Sequence, residues 1–544
     1  MAALDIGAIG RWRLRRDRAR SGDPQPPLDS IVTATMQSLE AKPQNASEFY
    51  SRDDWQRGYE SQPGEFDEWL DDIEGVIPAN LTGTLFRNGP GLLDIAGEPI
   101  GHPFDGDGMV CRVTFQNGRA HFRNRFVRTE GYLAEQAAGK ILYRGVFGTQ
   151  KAGGWLANCL DLKIKNIANT HVMYWADRLW ALWEAAEPHR LDPHSLETIG
   201  LDSIDGLLKP GDAFAAHARI DPGTAGDAIG AGRWTTAATS AGDRRFVNFA
   251  IKPGLSTNIT IYELDEAGKL VSRQTRSVPG FAFLHDFAIT PNWCIFFQNP
   301  VSFNPLPFVL GFKGAGQSIQ FDPKQPTRAL LIPRDPSRSM RVLEMPACFV
   351  FHHGNAFESA DGQQITIDSV CYDSFPTLEP GVDFRSIDFG SLPAGQLWRF
   401  DMNLTTEQVT SRCLESRCCE FPSLHPNAVG REHRYLYIGA ARAPEGNAPL
   451  QAVLKLDVQT GDRTLFDLGA KGFGGEPLFV PDPTGTREDD GWVLLLAYNA
   501  ERHASDLVIL AAADLSLVAR LKLKQHIPYG LHGSFVPQVF GPSA

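Results

Sequence analysis

The chain has 544 residues, of which 42% are hydrophobic and 21% are charged. In total 64 Asp and Glu stand against 52 Lys and Arg, and the net charge of −12 argues against a nucleic-acid partner, which clustered basic residues would bind. The longest uncharged stretch, 287–312, contains four prolines, so no bilayer-spanning helix is expected and the protein is predicted to be soluble or peripheral.

The first predicted element is an N-terminal arm over residues 1–48, followed by one folded domain over 49–544. Residues 11–20 carry six Arg and one Asp, and a stretch rich in Pro and Ser follows. This composition is typical of a disordered tail, and an organelle targeting segment is the alternative. Four Asp among the first 29 positions weaken the transit-peptide interpretation, which would place the protein in a plastid rather than in the cytoplasm or on a membrane.

From about residue 80 onward, short runs rich in Val, Ile, Phe, Tyr and Trp are separated by Gly, Pro, Asn and Asp. This alternation predicts strands joined by turns, with helices at 65–73 and 129–140. The predicted hairpins and strands cover 171–185, 258–271, 364–372, 396–402, 435–439, 452–467, 492–498 and 507–523.

Several of these hairpins share one phrase: an apolar strand ending in Asp, a turn, and a second strand, as in KLDVQTGDRTLF. Asp at the end of a strand is typical of an Asx turn, so we interpret these residues as turn-forming. Recurrent antiparallel hairpins along most of the chain favour an all-β propeller over a sandwich, because radial repetition leaves only short exposed edges.

The eight cysteines are scattered, with no CxxC pair and no secretory leader, which is typical of a reducing compartment. The adjacent Cys418 and Cys419 are interpreted as two packed thiols, and a redox role is the alternative.

Four histidines stand within apolar or aromatic runs, while the motifs HExxH, GxxxxGK[ST] and GxSxG do not occur in the sequence. Successive gaps of 68, 67 and 180 residues separate His217, His285, His352 and His532. One imidazole per blade, on the inner strand, would converge with the others on the propeller axis and bind one metal ion. Imidazoles suit Zn, Cu, Fe and Ni, so the residues leave the metal open, and a set of hydrogen-bonded core histidines is the alternative.

An ordered set of motifs resembles the carotenoid cleavage oxygenase family: LFRNGPG, HPFDGDGMV, FAAHARIDP, LHDFAIT, FHHGNAFE, CCEFP, GEPLFVP and YGLHGSF. The similarity extends from about residue 54 to residue 535. It implies a seven-bladed β-propeller in which a few helices and loops form a cap over the top face. It also implies one Fe(II) per chain on the axis, held by His217, His285, His352 and His532, whereas the neighbouring His353 is not a ligand.

The same resemblance assigns three carboxylates that support the ligands. It pairs Glu184 with His285, Glu420 with His352 and Glu476 with His532. A carboxylate that accepts the distal imidazole N–H fixes the tautomer and the ring angle.

Further positions match the surroundings of the iron in the family. Thr170 matches a threonine whose methyl group crowds an open metal position, and residues 146–162 resemble an apolar patch that takes substrate from a membrane. The sequence departs from the family pattern at Ala218, where Pro is usual, and at His171, where Asn is usual. The implied substrate tunnel is lined by Phe104, Phe147, Trp183, Phe283, Phe351 and Phe421.

The implied reaction is the addition of O₂ across a polyene double bond, which gives two aldehydes. We predict a lipophilic apocarotenoid as substrate, cleaved at its central 15,15' bond to release retinal, and no obligate protein partner. A stilbene substrate or another polyene bond is the alternative within the family. In a different class, the alternative is a non-catalytic propeller that binds a carotenoid or a protein.

Overall fold

The computed structural model describes residues 48–224, 226 and 243–542, and antiparallel strands make up most of its regular structure. In chain order the strands are β1 (Asp67–Trp69), β2 (Ile73–Gly75), β3 (Gly83–Leu92), β4 (Asp94–Ile95), β5 (Glu98–Pro99), β6 (Asp107–Gln116), β7 (Arg119–Phe126), β8 (His171–Trp175), β9 (Arg178–Leu182), β10 (His189–Leu191), β11 (Thr198–Leu201), β12 (Arg219–Asp221), β13 (Arg245–Lys252), β14 (Ser256–Leu264), β15 (Leu270–Pro279), β16 (Ala288–Ile289), β17 (Trp293–Gln298), β18 (Val301–Phe303), β19 (Ile319–Phe321), β20 (Thr327–Pro333), β21 (Arg341–Met345), β22 (Phe349–Glu358), β23 (Gln364–Tyr372), β24 (Gln396–Asn403), β25 (Val409–Glu415), β26 (Cys419–Ser423), β27 (Tyr435–Ala441), β28 (Leu450–Asp457), β29 (Arg463–Asp467), β30 (Gly472–Phe473), β31 (Leu478–Pro481), β32 (Gly491–Asn499), β33 (Ala504–Ala511), β34 (Leu517–Lys522) and β35 (Gly533–Val536).

Helices in the described ranges are few and short. They are α1 (Arg52–Arg57), α2 (Glu130–Ala138), α3 (Gly154–Asn158) and α4 (Pro305–Val309), with 3-10 turns at Pro103–Asp105, Gly316–Ser318, Phe384–Ser386, Phe389–Ser391 and Pro426–Ala428. None of these helices is long and apolar enough to cross a bilayer.

Seven sheets form the blades of a β-propeller, as predicted. From the innermost strand outward they are β35-β3-β6-β7-β1, β8-β9-β10-β11, β12-β13-β14-β15, β16-β17-β20-β21, β22-β23-β24-β25, β26-β27-β28-β29, and β31-β32-β33-β34-β2, in which β30 also pairs with the inner edge of β32. Two blades join distant parts of the chain, because β35 pairs with β3 and β2 pairs with β34. These two pairings close the ring of blades.

Buried apolar side chains fill the space between neighbouring blades. One cluster joins Trp293 and Leu331 of one sheet to Val350 and Ile367 of the next. The middle strands of the blades are covered on both faces, so β23 and β33 are buried along almost their whole length.

The hairpin turns use the residues that the sequence indicated. The tight turn between β8 and β9 has Ala176 and Asp177 at φ 49° and 58°, which matches the right-handed twist of the strands. The Asx interpretation of the repeated Asp is also confirmed, since their carboxylates accept backbone N–H groups two to four residues on at Asp192, Asp265, Asp457 and Asp514.

Two sequence predictions about helices had different outcomes. The helix over 129–140 is confirmed as α2, which begins after the N-cap Thr129 and ends at Gly139 in the left-handed region. The helix over 65–73 is wrong, because this segment supplies the edge strands β1 and β2, and its apolar residues pack onto two different blades. Helix α1 was not predicted; Ser51 caps it, and Trp55 is its buried residue.

The predicted arm over 1–48 lies almost entirely outside the described residues. All eight cysteines lie within them and are free thiols. Cys418 and Cys419 are both buried, and the Cys418 thiol donates to Asn447 Oδ1 at 3.2 Å.

Candidate metal centre and substrate cavity

The innermost strand of every blade brings a polar residue to the propeller axis. Each of these residues lies on the strand or in the segment that leads into it. They are Thr170 before β8, His217 before β12, His285 before β16, His352 on β22, Glu420 on β26, Glu476 before β31 and His532 before β35.

The four histidines lie together on the axis. The atoms that could bind a metal all lie within 4.8 Å of one another, and the Nε2 atoms of His217 and His285 are 3.1 Å apart. Two nitrogens bound to one metal at about 2.1 Å and at right angles would lie about 3 Å apart. The spacing of the imidazoles therefore fits a single ion.

Three of the imidazoles have a carboxylate at the opposite ring nitrogen. Nδ1 lies 2.8 Å from Glu184 Oε2 in His285, 2.6 Å from Glu420 Oε2 in His352, and 2.9 Å from Glu476 Oε1 in His532. A carboxylate accepts the Nδ1 proton, so the Nε2 lone pair of each ring faces the centre.

The donor set fits a cation. The Nε2 atom of His352 is buried and has no protein partner within the described residues. Burial, together with the other three imidazoles, holds the pKa of His217 well below its usual range, so this ring is neutral. Neutral imidazoles whose lone pairs converge repel one another unless a cation lies between them, and imidazole is a ligand for Zn, Cu, Fe and Ni.

The supporting carboxylates are themselves held in place, and two of their partners were missed in the sequence. Tyr372 donates its hydroxyl to Glu420 Oε1 at 2.8 Å, and Arg87 forms a salt bridge with Glu476. Burial opposes ionisation of Glu476, but the charge of Arg87 and the hydrogen bond from His532 lower its pKa to about 2. Arg87 lies in β3, where every residue is buried. A buried cation needs an anionic partner, so this position could have predicted a carboxylate such as Glu476 from the sequence.

Two further histidines stand beside the centre without facing it. His353 accepts or donates at Ser369 Oγ, 2.7 Å from its Nδ1, on the far side of β22. His171 lies between the segments that carry His217 and His532, with its ring nitrogens 3.0 Å from Ala216 O and 3.1 Å from Gly533 O.

A cavity of about 360 Å³ opens beside the histidines. His285, His352 and His532 line it, and so do Thr170 and Glu184. The six aromatic residues assigned to the tunnel from the sequence all line this cavity: Phe104, Phe147, Trp183, Phe283, Phe351 and Phe421. Loops that carry the 3-10 turns at Pro103–Asp105 and Phe389–Ser391 complete the wall. The occupant favoured by such a wall is apolar and flat.

Asp105 holds one aromatic part of this wall in position and was not singled out in the sequence. Its carboxylate accepts the N–H of Phe147 and the N–H of Thr149, each at 3.0 Å. Asp105 belongs to the HPFDGDGMV motif, which therefore helps to position the cavity wall.

Comparison with known proteins gives a consistent set of relatives. A family model described as retinal pigment epithelial membrane protein (RPE65) matches residues 59–537. The apocarotenoid-15,15'-oxygenase of Synechocystis sp. is 52% identical over 489 residues, which cover 89% of this chain and 96% of that protein. Lignostilbene-alpha,beta-dioxygenase isozyme III of Sphingomonas paucimobilis is 30% identical over 487 residues, which cover 85% of this chain and 93% of that protein.

Solved structures agree with these relatives. The crystal structure of the cobalt-substituted Synechocystis oxygenase superposes with a TM-score of 0.85 at 52% identity, covering 90% of this chain and 99% of that chain.

Proposed function

The chain belongs to the retinal pigment epithelial membrane protein family of carotenoid cleavage oxygenases, and we propose that it cleaves an apocarotenoid at the central 15,15' double bond to give retinal and a second aldehyde. The observation that carries this proposal is the four-histidine centre, which opens directly into a cavity lined by aromatic residues. The substrate class and the bond come from the relative at 52% identity.

The proposed cofactor is one Fe(II), bound by Nε2 of His217, His285, His352 and His532. Imidazole alone does not select iron over zinc, copper or nickel, so the choice of iron depends on the dioxygenase relatives. A ferrous ion would supply open coordination positions at which O₂ can be activated, whereas the electrons that reduce O₂ come from the double bond that is cleaved. Both atoms of O₂ are accounted for in the two aldehyde products, and no external reductant is needed.

The protein's own residues would position the metal ligands and the substrate relative to each other. Glu184, Glu420 and Glu476 keep the Nδ1 protons in place and offset the charge of a divalent ion. The Thr170 hydroxyl donates to Asn169 Oδ1 at 3.1 Å, which is consistent with its methyl group narrowing the space beside the ligands. Trp183 and the five Phe side chains would bind the polyene by stacking and exclude water from the double bond.

We also propose that substrate enters from a lipid surface next to α3. Trp155 is 48% exposed and Leu156 is 72% exposed, while Thr149 and Asn158 of the 146–162 segment are buried. Lys151 pairs with Asp161 at 2.5 Å, and Asn158 is buried, so neither interrupts the apolar face.

The test of the substrate is mass analysis of the aldehydes formed from a series of apocarotenals of different length. Retinal from each of them would support central cleavage. A stilbene substrate has its own observation in its favour, the relative at 30% identity, and phenolic aldehydes from a stilbene with no retinal from any apocarotenal would replace our choice.

The test of the cofactor is anaerobic reconstitution with Fe(II), with iron counted per chain. We expect one iron in the wild type and none in His285→Ala. No iron in the wild type, or the same iron content in both, would favour a propeller that binds a carotenoid or a protein without catalysis.

A further inference from the structure

One polar side chain in the cavity wall has no role in the centre described above. His102 lines the cavity beside two of its aromatic residues. Its ring centroid lies 4.7 Å from that of Phe104, edge to face, and 5.2 Å from that of Phe147. The imidazole is therefore part of the aromatic surface on which a polyene would lie.

The tautomer of His102 follows from its capping role. The backbone N–H of Phe104 donates to His102 Nδ1 at 3.1 Å, which caps the 3-10 turn Pro103–Asp105. A backbone N–H can only donate, so Nδ1 carries a lone pair. Burial lowers the pKa of His102 to about 3, so the ring is neutral and its one ring proton is on Nε2.

This Nε2–H group has no hydrogen-bond partner among the described residues of the protein. An occupant that displaces water from the cavity leaves this donor unpaired, at a cost in free energy, unless the occupant accepts its hydrogen bond. The group is neutral and is fixed as a donor. It therefore suits a neutral oxygen acceptor.

Capping by itself does not require an imidazole in this position. Asn304 caps α4 and Asp388 caps the turn Phe389–Ser391, each through its side-chain oxygen. A second histidine, His425, caps the turn Pro426–Ala428 in the same way, with Nδ1 3.1 Å from Asn427 N. His425 packs on Phe479 and does not line the cavity, which makes it a matched counterpart.

We propose that the Nε2–H of His102 donates a hydrogen bond to the terminal carbonyl or hydroxyl oxygen of the polyene, so that the cavity selects oxygen-terminated polyenes over hydrocarbon polyenes. This inference rests on the proposed function, because it names how the substrate of that reaction is recognised. Phe104 and Phe147 bind the adjoining carbons of the polyene through their faces and edges, and His102 binds the oxygen at its end.

The experiment compares two ligands of equal polyene length, an apocarotenal and the hydrocarbon with a methyl group in place of the aldehyde. Binding to the iron-loaded full chain is measured without O₂, so that no turnover occurs. His102→Asn keeps an oxygen to cap the turn but removes the imidazole, and His102→Phe keeps the aromatic ring but removes both nitrogens. His425→Asn is the control for loss of a capping imidazole.

We expect both His102 variants to bind the apocarotenal about two- to tenfold more weakly than the wild type, which corresponds to one neutral hydrogen bond. Their affinity for the hydrocarbon should stay unchanged. The absorption band of the bound apocarotenal should also lose the red shift that a hydrogen bond to its carbonyl produces. His425→Asn should match the wild type with both ligands.

The proposal is overturned if affinity falls equally for both ligands, or if it falls for neither. Melting temperature and iron content of His102→Asn show that the variant is folded. Failure of the proposed function has a separate signature: O₂ admitted to the wild-type complex then yields no aldehyde, while the binding data still decide the role of His102.

Discussion

His352 and Glu420 form the shortest of the three imidazole–carboxylate hydrogen bonds at the centre, with 2.6 Å between Nδ1 and Oε2. The two residues belong to neighbouring blades, since His352 lies on β22 and Glu420 on β26. Tyr372, at the end of β23, donates to the other carboxylate oxygen. A hydrogen bond across the gap between two blades thus fixes the ring angle of one imidazole of the four-histidine centre.

Glu420→Gln tests this relationship. The amide keeps the shape of the side chain but removes its charge, so the Nδ1 proton is held less strongly and His352 becomes a poorer ligand. We expect iron affinity to fall about 10- to 100-fold, measured by competition with a chelator. Tyr372→Phe should have a smaller effect in the same direction.

Glu415→Gln is the matched control. Glu415, at the end of β25, forms a salt bridge of 2.6 Å with Arg463 and does not line the cavity. Wild-type iron affinity in Glu420→Gln would refute the supporting role of that carboxylate.

Gly533→Ala tests the closure of the ring. Gly533 pairs with Arg87 where β35 meets β3, directly after His532, and a Cβ there would lie 2.2 Å from Phe86 O. We expect a loss of roughly 1–3 kcal/mol in the free energy of unfolding, from urea denaturation, together with lower iron content. Gly354→Ala is the control, since its Cβ would meet its nearest atom at 3.5 Å and should leave both quantities unchanged.

Acid should destabilise the protein through His189 on β10. Its side chain is buried, and Nδ1 has no protein partner within the described residues. Burial lowers its pKa to about 4, whereas the unfolded chain titrates near 6.5. Between these values only the unfolded chain binds the proton, so the free energy of unfolding falls as the pH decreases.

At pH 4 this one group accounts for a loss of about 3 kcal/mol. His189→Gln should therefore show a smaller drop in melting temperature between pH 7 and pH 4.5 than the wild type does. Equal drops in the two proteins would contradict the assignment.

The sequence predicts most of the blades because strands and tight turns are local. The hairpin predicted over 171–185 and its turn at Ala176 and Asp177 follow from residues within a few positions of each other. The helix predicted over 65–73 failed for the opposite reason. Its residues are set by β7 and β34, and the second of these is more than 400 positions away along the chain.

The residues of the centre fall into the same two groups, those that local sequence predicts and those whose partners only the fold brings together. Apolar context and spacing single out the four histidines, and a family resemblance adds their carboxylates. Arg87 was not predicted, because closure of the ring of blades brings Glu476 to it. Tyr372 was not predicted, because it meets Glu420 only where two neighbouring blades pack together. His102 was not predicted, because its role as a hydrogen-bond donor depends on which ring nitrogen carries the proton. The position of the Phe104 N–H in the folded protein determines this.

The last prediction concerns the apolar surface beside α3. The N–H of Leu160 donates to Val309 O at 2.8 Å, and the rings of Trp155 and Phe312 lie 5.6 Å apart, so α3 and α4 form one surface. Several of its large apolar residues are exposed: Trp155, Leu156, Leu160, Leu162, Leu306, Leu310 and Phe312.

Trp155→Glu places a charge in the middle of this face. We expect binding to liposomes, measured by sedimentation, to fall about tenfold or more, because a charge replaces a side chain that would be buried in lipid. Turnover of bilayer-dissolved substrate should fall with it, and turnover of detergent-dispersed substrate should not. Leu255→Glu, at an isolated and fully exposed leucine, should change none of these. Unchanged liposome binding in Trp155→Glu would rule out this surface as the membrane contact.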